Sequence, residues 1–146
     1  MTYSDLLVVT LINESFVPVK ADLEQNSALA FQVGALWTPS LNVIDGRENL
    51  VYRVEGWLPS SEFAAMAILA RGHYFLRGKR YELAAEPFRD VSVNFPRSEW
   101  APEALYYLGV VRYLASQNVE ELKKPWNRLQ RMYPQSTWSI RSDILG

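Results

Sequence analysis

The chain of 146 residues contains no cysteine, so it can form no disulfide and offers no thiolate to a metal or a substrate. Its one histidine, His73, has no partner residues at the spacing of a zinc site. Glycine-rich phosphate loops are also missing, and Gly34, Gly46 and Gly56 are better explained as turn residues. We therefore expect no enzymatic activity, no metal and no cofactor.

Strong charge and long apolar runs are lacking as well. The formal net charge is −1, which gives no attraction to nucleic acid or to an anionic membrane. The longest nearly unbroken apolar stretch covers 63–70, whereas a membrane helix needs about twenty residues. No basic patch precedes an apolar run near Met1, so no signal peptide is predicted and we expect a cytoplasmic protein.

Apolar residues make up 49% of the chain and aromatic residues 13%, enough for a real core and for adhesive surfaces. Up to residue 59 the caps, turns and apolar spacing predict alternating helices and strands. The expected elements are a helix over 5–13 capped by Ser4, a strand over 16–22, a helix over 28–33 ended by Gly34, and strands over 40–45 and 50–55 joined as a hairpin. Pro18 removes one amide donor, so one side of the first strand is expected to be unpaired there.

From residue 60 onward a repeat replaces the strands. The sequence FPRSEW at 95–100 returns as YPQSTW at 133–138, 38 residues later, and Pro87-Phe88 returns as Pro125-Trp126 at the same offset. Helices are predicted over 60–77, 81–94, 101–116, 118–132 and 136–145. The two prolines fall inside two of them, where proline normally costs about 3 kcal/mol. Either both helices share a local kink or the helix assignment fails there, and the equivalence of the two prolines favours the kink.

Several short segments of the first region carry a family resemblance. They are Phe16-Val17-Pro18-Val19-Lys20, Phe31-Gln32-Val33-Gly34, Trp37-Thr38-Pro39-Ser40-Leu41 and Asp45-Gly46. In this order they resemble the thioredoxin superfamily, and Thr38-Pro39 is similar to its cis-proline signature. The resemblance implies a cis bond before Pro39 and a peptide-binding segment of Trp37, Thr38 and Pro39 that acts by strand addition. The alternative is a structural turn in which Trp37 only packs.

The same family begins with a strand and a Cys-x-x-Cys turn, and this sequence has neither. In the family the missing strand lies between those that match 16–22 and 40–45. Since unpaired backbone groups are not tolerated inside a buried sheet, three outcomes are open. A second copy completes the sheet, the two flanking strands pair directly, or the sequence is incomplete.

The second region resembles tetratricopeptide repeats. Gly72, Ala84, Phe88 and Pro96 match the small, small, aromatic and terminating positions, and Gly109, Trp126 and Pro134 match them again, with Leu122 in place of the small alanine. The resemblance implies a groove lined by the first helix of each repeat. Its residues would be Met66, Leu69, His73, Leu76 and Arg77, followed by Glu103, Tyr106, Val110, Tyr113 and Leu114.

Together these observations predict an α+β chain: a truncated thioredoxin-like layer of three strands over 1–59, and a tetratricopeptide-like array of about five helices over 60–146, with helix 60–77 shared. The chain resembles bacterial thioredoxin–tetratricopeptide proteins. That resemblance implies a non-catalytic adaptor or chaperone-like protein that binds a protein or peptide, forms a homodimer, and engages neither nucleic acid nor membrane. The alternatives are a fragment of a thiol-disulfide oxidoreductase whose catalytic half is missing, and a purely structural dimer.

Overall fold

The structure, a computed structural model, describes residues 2–145; Met1 and Gly146, the outer ends of the two predicted domains, lie outside them. The described part is a mixed α+β fold, mostly helical, with seven α-helices and one two-stranded sheet. The elements are α1 (Leu6–Ser15), α2 (Ser27–Val33), β1 (Ser40–Ile44), β2 (Leu50–Glu55), α3 (Ser60–Arg77), α4 (Tyr81–Asn94), α5 (Ala101–Ser116), α6 (Val119–Met132) and α7 (Thr137–Ser142), with 3-10 turns at Thr2–Ser4 and Asp143–Leu145. The chain divides within α3 into unit 1 (Met1–Ala64) and unit 2 (Ala65–Gly146). Among the described helices, none is long and apolar enough to cross a membrane.

The predicted hairpin in unit 1 is confirmed. β1 and β2 pair antiparallel, with Leu41 opposite Val54 and a register shift after Val43. Asp45 organises the turn, because its Oδ1 accepts the backbone N–H of Arg47 at 2.8 Å and that of Asn49 at 2.9 Å.

The predicted strand over 16–22 is wrong, and the sheet has two strands rather than three. Direct pairing of this segment with β1 is therefore also wrong for the described residues. The segment has the composition of a strand, but a strand is stable only beside a neighbour, and Val17 and Val19 are instead 90% and 81% exposed. A smaller correction concerns α1: its N-cap is Asp5 rather than Ser4, and the Asp5 carboxylate accepts the Leu7 N–H at 2.9 Å.

The interior of unit 1 is small. Val8, Val51 and Phe63 are buried, and the Tyr3 ring meets Phe63 edge to face at 5.6 Å. By contrast, several large apolar side chains of the unit are exposed, among them Phe31 and Leu36. Unit 1 therefore leaves apolar side chains in solvent that it does not pack itself.

In unit 2 the repeat punctuation predicts the helices well. α3, α4 and α5 have the predicted bounds, whereas α6 begins one residue late because Asn118 caps it and accepts the Glu120 N–H at 3.0 Å. The predicted helix over 136–145 is a short α7 followed by a 3-10 turn. Pro87 and Pro125 are buried inside α4 and α6, and both helices continue through them, so the helix assignment there is confirmed.

Two glycines explain why the repeat keeps its small residues. A Cβ at Gly72 would lie 2.7 Å from the Phe88 ring, and one at Gly109 would lie 2.8 Å from the Trp126 ring. Each contact joins the first helix of a pair to the second. The two glycines are 37 residues apart in the sequence and the two aromatic residues 38. In each pair, therefore, an aromatic ring occupies the space that a side chain would need.

Candidate protein-binding surface

The predicted groove residues fall into two groups. Met66 and Leu69 are 2% and 0% exposed, so their side chains line no open surface. Glu103 is also largely buried, at 8% exposed. The other seven residues are exposed or partly exposed. Arg77 and Tyr113 are exposed, and the partly exposed ones are His73, Leu76, Tyr106, Val110 and Leu114.

His73 and Glu103 join α3 to α5. His73 Nε2 lies 2.8 Å from Glu103 Oε1, and the two side chains are 13% and 11% exposed. The imidazole also meets the Tyr107 ring edge to face at 4.6 Å and the Phe88 ring at 5.2 Å. The single histidine is thus in contact with one carboxylate and two rings, which restrict the rotation of its imidazole.

Aromatic rings continue from α5 to α7. The Trp138 ring lies 5.5 Å from Tyr107 and 5.2 Å from Tyr106. Tyr106 in turn stacks on Trp126 at 5.0 Å, and the indole N–H of Trp126 donates to the Tyr106 carbonyl at 3.0 Å. We call the resulting set the aromatic surface, and it consists of His73, Glu103, Tyr106, Tyr107, Trp138 and Arg141.

The polar groups of the aromatic surface set its electrostatics. The Arg141 guanidinium lies over the Trp138 ring, 4.5 Å from its centre. Burial raises the pKa of Tyr107, and the negative charge of Glu103 and the neighbouring Tyr106 raise it further, while Arg141 acts in the opposite direction. The Tyr107 hydroxyl therefore stays neutral at physiological pH and remains a hydrogen-bond donor to any ligand that reaches it.

Sequence reasoning found His73, Glu103 and Tyr106 but missed Tyr107, Trp138 and Arg141. Tyr107 follows Glu103 by one helical turn, which places both on one face of α5. For Trp138 the available signal was the repeat itself: Ser136 accepts the Trp138 N–H at 3.1 Å, just as Ser98 accepts the Trp100 N–H at 3.1 Å. Arg141 follows Trp138 by three residues in α7, and no sequence signal distinguished it from other surface arginines.

The second predicted surface is the segment before β1. The Thr38–Pro39 bond is cis, which confirms that expectation. Trp37 is 70% exposed, so it does not pack into the interior of unit 1. Pro39 and Leu41 help to line a cavity of about 30 Å³, room for about one water molecule and not for a ligand. Peptide binding by Trp37, Thr38 and Pro39 stays a prediction.

Within residues 2–145, no three histidine, aspartate or glutamate side chains are grouped as a metal ion would require. The arrangement that unit 2 does offer is a set of partly exposed rings in mutual contact, edged by one arginine and one histidine–glutamate pair. In comparisons with known proteins, no family model matches this chain, and neither a curated protein nor a solved structure matches it significantly.

Proposed function

We propose that this chain is a protein-binding adaptor that holds a peptide segment of its partner on the aromatic surface of unit 2. The observation that carries the proposal is the continuous series of ring contacts from His73 through Tyr107 to Trp138, which crosses α3, α5 and α7. Binding on this surface makes and breaks no covalent bond.

The aromatic surface can bury apolar area at a small cost in side-chain entropy. Rings that already contact one another lose little side-chain freedom when a ligand binds. The free energy gained by burying their apolar area is therefore reduced by only a small entropic cost. Tyrosine, tryptophan and arginine are also the residues that carry most binding energy where proteins meet. Tyr107, Trp138 and Arg141 supply one of each within a single cluster.

The polar groups of the aromatic surface limit which peptide segments can bind. Arg141 is exposed and offers a planar donor for a carboxylate or a backbone carbonyl, and the Tyr107 hydroxyl offers a second donor. We therefore expect a segment with an apolar or aromatic anchor and an acceptor group beside it. Because the aromatic surface consists of only six residues, we expect modest affinity, with a dissociation constant on the order of micromolar.

The test begins with selection of peptide ligands from a random displayed library on the full chain. Affinity for a selected peptide is then measured by calorimetry for the unaltered chain and for Trp138→Ala and Arg141→Ala. We expect each substitution to weaken binding about tenfold or more, because a central aromatic or arginine anchor contributes roughly 2 kcal/mol.

Met132→Ala is the matched control, since Met132 is an exposed apolar residue of α6 outside the aromatic surface. Thermal melts establish that every variant is folded. Selected peptides that bind all four proteins equally would show that the aromatic surface is not the binding site.

A further inference from the structure

β1 has one edge without a sheet partner among residues 2–145. The Gly56 N–H donates to the Pro39 carbonyl at 2.8 Å, and the register then places Leu41 and Val43 as the residues that bond to β2. The backbone groups of Ser40 and Asn42 consequently point away from β2, toward the open edge. The Asn42 side-chain amide donates to the Ser40 carbonyl at 3.3 Å, and this carbonyl keeps a second lone pair for a pairing strand. The edge therefore offers donors and acceptors at two alternate residues.

A second segment of unit 1 has complementary backbone groups, and none of those of Val17 and Val19 is bonded to another backbone group within residues 2–145. The chain leaves α1 at Phe16 in an extended conformation, with φ −139° and ψ 162°. Val17 and Val19 follow at alternate positions, both β-branched and almost fully exposed. Pro18, between them, lacks an N–H on the opposite side. The segment 16–20 can therefore pair through the Val17 and Val19 side and not through the other.

We propose that the open edge of β1 accepts segment 16–20 of a second copy of this chain, and that two copies exchange these segments reciprocally. Each copy has one acceptor edge and one donor segment, so a pair related by a two-fold axis satisfies both. The two outward residues of β1, Ser40 and Asn42, match the two pairing residues of the segment in number. Pro18 then faces outward, and its missing N–H stops a further strand from adding, which closes the assembly at two chains.

The size of the contact sets the expected strength. Segment and edge contribute about ten residues per chain, fewer than the 20–30 of a standard stable interface. Leu36 and Trp37, both exposed and four and three residues before the start of β1, add apolar area at the same end of the strand. We therefore expect a monomer–dimer equilibrium with a dissociation constant of tens of micromolar.

The test is sedimentation velocity of the full chain from about 1 to 300 μM. We expect monomer at the lowest concentration and dimer, with nothing larger, at the highest. Val19→Pro removes an N–H on the pairing side and should shift dimerisation to at least tenfold higher concentration. Lys20→Pro makes the same change one residue later, on the non-pairing side, and should leave the equilibrium unchanged. Both positions are exposed and lie outside helices and strands, so neither substitution disturbs the fold of the protomer.

A second measurement locates the contact, using the natural absence of cysteine. Val17→Cys and Asn42→Cys chains are prepared separately, mixed and oxidised. We expect the disulfide-linked product to contain one chain of each kind, because edge and segment come from different copies. A chain that stays monomeric at 300 μM, a dimer equally sensitive to both proline substitutions, or crosslinks only between identical chains would each overturn the proposal. The proposal does not depend on the peptide-binding function of unit 2.

Discussion

Gly109→Ala is the substitution that best tests the packing of the repeat. The added Cβ would lie 2.8 Å from Cδ1 and Nε1 of Trp126 and 2.9 Å from the carbonyl oxygen of Leu122. Overpacking of this kind costs about 1–3 kcal/mol, and the backbone oxygen makes relief by a side-chain movement alone insufficient. Alanine returns about 1 kcal/mol through its higher helix propensity. Because the backbone oxygen cannot move aside, we take the upper end of that range, about 3 kcal/mol, and expect a net loss of about 2 kcal/mol in the free energy of unfolding.

The equivalent substitution in the preceding repeat should cost less. At Gly72 the close atoms all belong to the Phe88 ring, at 2.7–2.9 Å, and none is a backbone atom. This side chain is fully buried, but unlike a backbone oxygen it can rotate slightly within its packing. We expect Gly72→Ala to cost about 1 kcal/mol, and the cost to disappear in a Phe88→Leu background because the obstructing ring is gone. Such a double-mutant cycle separates the steric clash from the change in helix propensity.

The assay is urea unfolding followed by far-ultraviolet circular dichroism, with stability taken from the midpoint at constant slope. Gly46→Ala is the control, since nothing lies within 4 Å of its added Cβ and the substitution should change stability by less than about 0.5 kcal/mol. If Gly109→Ala is as stable as the unaltered chain, the ring does not occupy the space above Gly109, and the packing described for α5 and α6 is refuted.

Three further expectations concern polar groups. Glu103→Gln should lower stability by about 1–3 kcal/mol, because it removes the charge from a mostly buried hydrogen bond to His73; thermal melts check this, and an unchanged melting temperature contradicts it. Because the folded-state pKa of Tyr107 is raised, chiefly by burial, the protein should lose stability as pH rises above about 10 and through that pKa, and Tyr107→Phe should lose less over the same range in urea unfolding. The pKa of Asp45 is lowered, mainly by the side-chain hydrogen bond from Asn49, so the stability that this carboxylate contributes is present above about pH 4. That stability is lost as pH falls through the lowered pKa of the folded state. Thermal melts of Asp45→Ala should show a weaker acid dependence, and a profile identical to that of the unaltered chain would contradict the role of this turn.

Sequence reasoning succeeded where local signals coincide. The bounds of α3, α4 and α5 follow from Gly78, from the Phe95-Pro96 pair and from Pro102, which end or begin helices by their own backbone chemistry. Pro87 and Pro125 would each, taken alone, argue against a helix. Because they are equivalent positions of the internal repeat, a helix is predicted at both, as the structure has it. Agreement between two copies compensated for a misleading local signal.

Sequence reasoning failed where the outcome depends on a neighbour. Segment 16–20 has the β-branched alternation of a strand, but no residue within it specifies a strand beside it. The aromatic surface was found only in part for a related reason: Tyr107 and Trp138 meet because α5 and α7 pack together, and their 31-residue separation follows no repeat offset. Caps and turns can be predicted from a short stretch of sequence, whereas contacts between elements depend on residues that lie far apart in the chain.

The two proposed surfaces lie on different units, and this separates association from recognition. A peptide bound by Tyr107 and Trp138 uses side chains of unit 2, whereas strand exchange uses the backbone of Ser40 and Asn42 in unit 1. Loss of the dimer should therefore leave the affinity for a single peptide unchanged. It should weaken only the binding of a partner that presents two such peptides, since two aromatic surfaces in one dimer raise the effective concentration for the second contact. Modest affinity at each surface is therefore compatible with the proposed adaptor function, because association of two chains compensates for it.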